Sequence, residues 1–304
     1  MGELIQHLIN GVGLGAIYAL IALGYTMVYG VLQLINFAHA EVYMVAAFAA
    51  FYANKGLLEW LNAVAVPGWV IFAILLLVAV GVGGGLAVLI EAVAYRPLRG
   101  APRINILITA IGVSLLIQNL AQIGFGADPK FFQPSVANAS LFTIGDSEVL
   151  LYDVTVLLVT TFFLCVLHYL VYHTQMGIAM RAVSYNPVAA SLLGVSINQT
   201  ISFTFFLGGA LAGVAAVLIP LKYPKIEPLM GTLLGLKAFV AAVLGGIGHI
   251  GGTVLGAFML GMAEQMVAAY LSSMYRDAIA FSLLIVVLLL KPEGLFGKKG
   301  IEKV

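Results

Sequence analysis

The stretch Asn36-Phe37-Ala38-His39-Ala40-Glu41-Val42-Tyr43 sets an amide, an imidazole, a carboxylate and a phenol within eight residues. Asn36, His39 and Tyr43 stand three and four apart, which puts them on one helical face, with Glu41 turned away from it. As an acid–base couple, His39 and Glu41 have no nucleophile within sequence reach. No second histidine stands at a metal-ligand spacing, so no metal site is expected. Asn36 suits the N-cap of the helix that follows, where unpaired N–H groups and a partial positive charge collect. A gating or conformational role fits these residues better than bond-making chemistry. Three more ionisable residues, Glu91, Lys237 and Glu264, lie inside apolar runs. In a bilayer each charge costs about 2.5–3.5 kcal/mol at mid-depth, so each needs a partner or a polar cavity. Glu91 is close enough to Arg96 for an interfacial ion pair. Lys237 and Glu264 fall on successive runs and can pair, either as packing glue or as the lining of a path. His7, His168 and His249 stand alone and read as packed or interfacial side chains. Cys165 reads as a small inert hydrophobe.

The elements that must position these groups are membrane helices. The 304 residues are 62% hydrophobic and 9% charged, with a mean hydropathy of +1.09. Soluble domains carry about 25% charged residues, so this chain cannot clothe a water-facing surface. A formal net charge of +1 gives no basic face for nucleic acid, and one cysteine excludes an intrachain disulfide framework. Runs long enough to cross, about 20 apolar residues each, lie at 8–30, 36–54, 68–95, 103–125, 153–172, 199–220, 232–248, 252–271 and 277–290. The expected fold is therefore an all-α polytopic membrane protein of eight or nine transmembrane helices, with 232–252 crossing or re-entering. The whole chain, 1–304, reads as one transmembrane domain. The first run lacks a basic leader and is too long for a signal peptide.

Lys and Arg set the orientation. Arg96, Arg99 and Arg103 crowd one connection, Arg181 lies in the next such connection, 173–198, and Lys291, Lys298, Lys299 and Lys303 fill the tail. Nine crossings put these on one side, the cytoplasm, with the N-terminus outside. Asp128, Lys130, Asp146, Glu148 and Asp153 then fall outside, as do Lys222 and Lys225, which run against the rule. The 126–152 connection, rich in Gly, Pro, Asn and Ser, reads as an external loop.

Glycine is concentrated within the runs. Most of it reads as close helix packing. Gly245-Gly246-Ile247-Gly248-His249-Ile250-Gly251-Gly252, with five glycines in eight residues, is poor continuous helix and can break beside a substrate path. A weak echo of Gly13, Gly24 and Gly30 in Gly235, Gly246 and Gly252 fits chance as well as duplication. In the 173–198 connection, Asn186 and Pro187 form an N-cap and first-turn signature, and Gly194 is a stop. The intervening helix of about two turns shows Val188, Leu192 and Leu193 to the cytoplasm. It docks a protein partner, or else the membrane surface or the rest of the chain itself. No phosphate-binding loop or nucleophile motif is present. Any energy for pumping comes from a separate subunit or from an ion gradient.

Separate motifs, in order along the chain, carry a resemblance. They are Ile35-Asn36-Phe37-Ala38-His39-Ala40-Glu41; Gly177 with Arg181 and Ala182; Ala190-Ser191-Leu192-Leu193-Gly194; Gly235-Leu236-Lys237-Ala238-Phe239 leading to Leu244-Gly245-Gly246-Ile247-Gly248; Pro292-Glu293-Gly294-Leu295-Phe296-Gly297; and Glu302-Lys303-Val304. Nearly end to end, the chain resembles the permeases of branched-chain amino-acid ABC transporters. The resemblance implies a subunit that is not itself an enzyme, carries no cofactor and leaves ATP to its partners. Those partners are a second, related permease, two cytoplasmic ATP-binding subunits and a periplasmic binding protein for leucine, isoleucine or valine. It implies a multi-pass protein of the bacterial inner membrane, in contact with lipid and not with nucleic acid. It also makes 187–194 the coupling helix, with Arg181, Pro187, Val188, Ala189, Ala190, Leu192, Leu193 and Gly194 facing the ATPase. Ala189, Ala190 and Gly194 match the Ala-Ala-x-x-x-Gly part of the importer loop, and Val188 replaces its usual glutamate. Asn36, His39, Glu41, Tyr43, Lys237, Glu264, Gly245, Gly246 and Gly248 are the path or gating residues. The competing expectation is an ion-gradient-driven amino-acid carrier that uses Glu41 and Glu264 as relays.

Overall fold

The computed structural model describes residues 2–61, 66–133, 136, 138–144 and 147–297. Lys298, Lys299, Lys303, Asp146 and the Glu302–Val304 motif lie outside them. Seven helical segments are long and apolar enough to cross a bilayer. They are α1 (Gly2–Leu32), α3 (Gly68–Ile90, prolonged by a wide turn and a 3-10 turn to Leu98), α4 (Arg103–Phe125), α5 (Leu151–His173), α8 (Ile197–Lys222), α10 (Ile250–Tyr270) and α11 (Arg276–Leu290, with a 3-10 turn before it). Between α5 and α8 lie two short helices, α6 (Gln175–Tyr185) and α7 (Pro187–Leu192). The 126–152 connection defines a loop face of the molecule, and the 173–198 connection a knob face.

Two apolar helices depart from full crossings: α2 (His39–Leu61) and α9 (Met230–Gly245). The sequence predicts spans over 36–54 and 232–248. In the structure both helices begin near mid-depth. At the start of α2, the His39 ring meets the Ile21 carbonyl of α1 at 3.2 Å. There Glu41 bonds Ser114 and Gln118, halfway along α4. Further on, Phe48 stacks on Phe125, the last residue of α4, at 4.6 Å, and Asn54 donates to the Gln133 carbonyl at 2.8 Å. So α2 runs outward to the loop face, where Lys55 and Glu59 can meet water. Residues 33–38 carry the chain back into the protein without helix, and Gln33 takes a φ of +54° at the turn.

α9 does the reverse. The strand β4 (Lys225–Ile226) pairs antiparallel with β1 (Lys130–Phe131) at the loop face. The chain then drops to Met230, where Gly231 and Gly235 pack on Ala40 at the head of α2. The helix ends at the knob face, where Leu295 and Phe296 N–H groups bond the Leu244 and Gly245 carbonyls. Two helix N-termini therefore meet inside the molecule and point their helices to opposite faces.

The order of long helix, non-helical return, helix begun at mid-depth and two spanning helices occurs twice, in α1–α4 and again in α8–α11, with opposite orientation. This is an inverted-topology repeat. Its centre is the crossing of α1 and α8, where Gly24 and Gly208 approach backbone to backbone. On one side α10 lies on α1 through Gly11, Gly15 and Gly261; on the other, α3 lies on α8 through Gly83, Gly209 and Gly213. The counterpart of α1 is thus α8, whereas the glycine echo in the sequence matches it to α9. α1 and α8 are buried almost throughout, while α4 and α11 form the rim.

The 126–152 connection is not the irregular loop that its composition suggests. β2 (Ser140–Ile144) and β3 (Ser147–Leu150) form an antiparallel hairpin with an irregularity near Ser140. The alternation that makes it a strand is short: Ser147 and Val149 are buried, and Glu148 is exposed.

Close glycine contact makes a direct prediction. A Cβ at Gly209 would overlap the Gly83 carbonyl, whereas one at Gly85 meets nothing within 4 Å. Gly209→Val should cost about 1–3 kcal/mol by forcing α3 off α8, and Gly85→Ala should leave stability equal or higher. Thermal unfolding of both variants in the same detergent checks this.

Candidate translocation site

The residues of the 36–43 stretch are all brought inside, but not onto one helical face. Asn36 lies before α2, in the non-helical return. Its Oδ1 accepts from the Tyr95 hydroxyl at 2.7 Å, and its backbone carbonyl accepts from the His39 N–H at 3.1 Å. It is therefore not the side-chain N-cap that its type suggests: the turn at 37–38 delays the helix to His39, and the amide is turned toward α3. His39 is packed edge-on against Tyr25 at 4.7 Å, over Gly24, where any Cβ would strike the imidazole. Tyr43 is buried one turn further along.

Glu41 faces elsewhere. Its Oε1 accepts from Ser114 Oγ at 3.2 Å and from Gln118 Nε2 at 2.7 Å. The same Gln118 nitrogen donates to Thr232 Oγ1 of α9 at 2.7 Å. This polar bridge joins α2, α4 and α9 at mid-depth. Ser114 and Gln118 went unnoticed in the sequence, although a serine and a glutamine four apart in an apolar run share one helical face.

Lys237 and Glu264 meet at 3.0 Å, both buried. Two further partners were not expected. Tyr18 of α1 donates to the same carboxylate oxygen at 3.0 Å, and Asp277, at the start of α11, takes the other side of the ammonium at 2.7 Å. The network ties α1, α9, α10 and α11 together. Glu91 is fully buried and bonds Arg96 at 2.8 Å, Arg99, and Ser202 of α8 at 2.7 Å. The ion pair expected with Arg96 is present, but Arg99 and Ser202 turn it into a clamp between α3 and α8.

The glycine run does break the helix. α9 stops at Gly245, Gly246 and Gly248 take φ of +99° and +92°, and α10 starts at Ile250. Gly245 and Gly252 touch backbone to backbone, and Gly246 lies against Gly297. His249 has a task that the sequence did not reveal: its Nδ1 accepts from the Gly252 N–H at 2.9 Å and caps α10. Cys165 is exposed on α5. Among the described residues no group of three His, Cys, Asp or Glu side chains could hold a metal ion.

At the knob face Asn186 Oδ1 accepts from the Val188 and Ala189 N–H groups at 3.0 Å each, with Pro187 in the first turn. Gly194, at φ +84°, reverses the chain. Val188 is 68% exposed, and Leu192 and Leu193 are each 84% exposed. The buried face holds Ala190, whose carbonyl accepts from the Val195 N–H. Arg181 does not join the exposed tip. Its guanidinium bonds the Val171 carbonyl and lies 5.6 Å over the Tyr172 ring, so it braces α6 on the end of α5.

Over residues 7–288 the sequence matches the family described as branched-chain amino acid transport system / permease component. The chain belongs to that family. LivH of Escherichia coli K12, a high-affinity branched-chain amino acid transport system permease protein, is 40% identical over 99% of this chain and 97% of its own. BraD of Pseudomonas aeruginosa, described in the same words, is 42% identical over 99% and 98%. A probable branched-chain amino acid transport permease protein LivH of Methanocaldococcus jannaschii is 30% identical over 91% and 88%. No solved structure matches. In this permease family member, the polar groups inside the bilayer are thus parts of a transport protein.

The Lys237–Glu264 geometry predicts non-additive mutational losses. Lys237→Met leaves a buried carboxylate with Tyr18 alone, and Glu264→Gln leaves the ammonium to Asp277. Each single change should lower stability more than the double change does, with a coupling of about 0.5–3 kcal/mol in a double-mutant cycle of detergent unfolding.

Proposed function

We propose that this chain is the permease subunit of an ATP-binding-cassette importer for leucine, isoleucine and valine, forming the translocation path by alternating access. The observation that carries this reading is the full-length similarity to permeases described as high-affinity branched-chain amino acid transport proteins. The chain itself performs no catalysis and holds no cofactor in this reading. It pairs with a related permease of the LivM type. Two cytoplasmic ATP-binding subunits and a periplasmic branched-chain amino-acid-binding protein complete the transporter, in the bacterial inner membrane.

In this reading the seven described spanning helices, with α2 and α9 covering half the depth, put the N-terminus outside and the knob face in the cytoplasm. The chain enters from the loop face at β4 and leaves at the knob face at the end of α9, and this supports a crossing of the 223–245 segment over re-entry. The positive residues agree: Arg99 and the 183–198 segment line one cavity of about 670 Å³ together with Gln33 and Leu34. Lys222, on the other face, is bound to Asp153 at 3.1 Å and to Asn10 at 2.6 Å. Its charge is neutralised there, so it does not oppose the orientation.

The knob is the ATPase's handle. The apolar tip of Val188, Leu192 and Leu193 fits a cleft on a protein partner. Behind it, Ser184 Oγ donates to the Gly30 carbonyl at 2.6 Å, so a displacement of α6 and α7 reaches the end of α1. From there the non-helical return at 33–38 leads through Asn36 and Tyr95 to the head of α2. A full switch between outward and inward states needs about 5.5 kcal/mol of differential binding, drawn from ATP on one side and loaded binding protein on the other.

In membrane vesicles carrying the assembled transporter, leucine uptake should require internal ATP and survive an uncoupler. Uptake that follows the ion gradient instead would establish the carrier reading, with Glu41 and Glu264 as relays. Leu193→Asp should abolish copurification of the ATP-binding subunits while the variant still inserts. Normal copurification and uptake would remove the knob's assigned role.

A further inference from the structure

Four carboxylates are buried in the described chain: Glu41, Glu91, Asp153 and Glu264. Three have a cation of their own: Glu91 has Arg96 and Arg99, Asp153 has Lys222, and Glu264 has Lys237. Glu41 has none among the described residues. It is 1% exposed. One of its oxygens is held by the neutral donors of Ser114 and Gln118. The other, Oε2, is buried without any hydrogen-bond partner. An acceptor left in that state is costly, the more so when charged. Asp153 and Glu264 also have one oxygen without a partner, but each has a lysine on the other; Glu41 alone of the four has no side-chain cation among the described residues.

The free oxygen points at a second feature. The head of α9 lies beside it: a Cβ at Gly231 would come 3.1 Å from Oε2. No side chain caps the first turn of α9. The Met230 and Thr232 N–H groups turn back to the Glu227 and Leu229 carbonyls, which leaves the Gly231 N–H and the positive end of the helix dipole facing the carboxylate. A carboxylate without a side-chain cation and a helix end without a capping side chain thus stand side by side at mid-depth. They lie where the two non-spanning helices meet. Leu115, which follows Ser114 on α4, and Leu233 and Leu236, which follow Thr232 on α9, are exposed and apolar.

We propose that Glu41 and the first turn of α9 form the site that holds the zwitterionic head of the transported amino acid. Glu41 Oε2 takes the α-ammonium, the Gly231 N–H at the positive end of α9 takes the α-carboxylate, and the branched side chain lies against the leucines. This rests on the importer reading above. It also accounts for Gly231, whose missing side chain lets the two groups approach.

The test uses the complete transporter in proteoliposomes with saturating binding protein, and radiolabelled leucine as the probe. ATP-driven leucine uptake by the unmodified complex is scored first; its absence sinks the function and this inference with it. Glu41→Gln preserves shape and hydrogen bonding but removes the charge, while Glu41→Asp keeps the charge on a shorter stem. Glu41→Gln should lower the maximal uptake rate at least tenfold. The half-saturating leucine concentration should not move, because the binding protein sets it. Glu41→Asp should retain clearly more uptake than Glu41→Gln. An aspartate variant no better than the glutamine variant overturns the assignment, since shape rather than charge then matters. Loss of the second permease from the purified Glu41→Gln complex also overturns it, by placing the counter-charge on that partner.

Discussion

A peptide group that leaves the helix inside a bilayer loses its hydrogen bond and finds no water to replace it. The interior of this permease is arranged around two such departures, the non-helical returns at 33–38 and 223–229 that deliver α2 and α9 to mid-depth. They are tolerable because protein encloses them. Asn36 takes a bond from Tyr95, and Ile226 is buried against the rest of the protein. Close packing of α1 and α8 is in turn possible only because Gly24 and Gly208 carry no side chain at the crossing. Backbone satisfaction, glycine placement and the position of the internal helix ends are one constraint seen at three scales.

The buried charges divide by what they join. Glu91 clamps α3 to α8, and Glu264 with Lys237 joins α9 and α10 to α1 and α11. Each is matched within the chain, which suits elements that stay together through a transport cycle. The Glu41 cluster is different: neutral donors hold it, and it bridges α4, a weakly packed rim helix, to α9 through Gln118 alone. Neutral hydrogen bonds of this kind are worth about 0.5–1.5 kcal/mol each. Such contacts can be made and broken without stranding a paired charge in lipid.

Much of this was legible in the sequence because lipid imposes a simple code. Apolar length located the seven described helices that are long enough to cross, and α2 and α9 besides. The Lys237–Glu264 contact followed from two opposite charges on successive runs, and the Asn186-Pro187…Gly194 pattern placed the knob to the residue. What escaped was depth. The starts of α2 and α9 are set by their contacts with α1 and α4, and hydropathy cannot tell a helix that begins at mid-depth from one that begins at the surface. Asn36 showed the limit of local rules. A good N-cap type, it is instead drawn toward Tyr95, fifty-nine residues on. The repeat escaped for the same reason: matching glycines by spacing aligned α1 with α9, whereas the shared feature is the order of helix kinds.

The inverted repeat bears on how one motor can drive two faces. Two halves of opposite orientation have nearly equivalent inward and outward arrangements, so neither is strongly preferred and modest differential binding can select between them. Something must break that equivalence, and α5, α6 and α7 are the only described helices outside the two halves. They sit between them in the chain, and α6 touches α1, α5 and α8, the hub of the structure. In the proposed importer, a push on the exposed tip of α7 would act at one face only, yet would reach the helices shared by both halves. Arg181 ties α6 to the end of α5, and Ser184 ties it to Gly30 of α1. In that reading a partner covers the exposed apolar tip of Val188, Leu192 and Leu193, and the asymmetry of the inserted helices would give the partner its direction of pull.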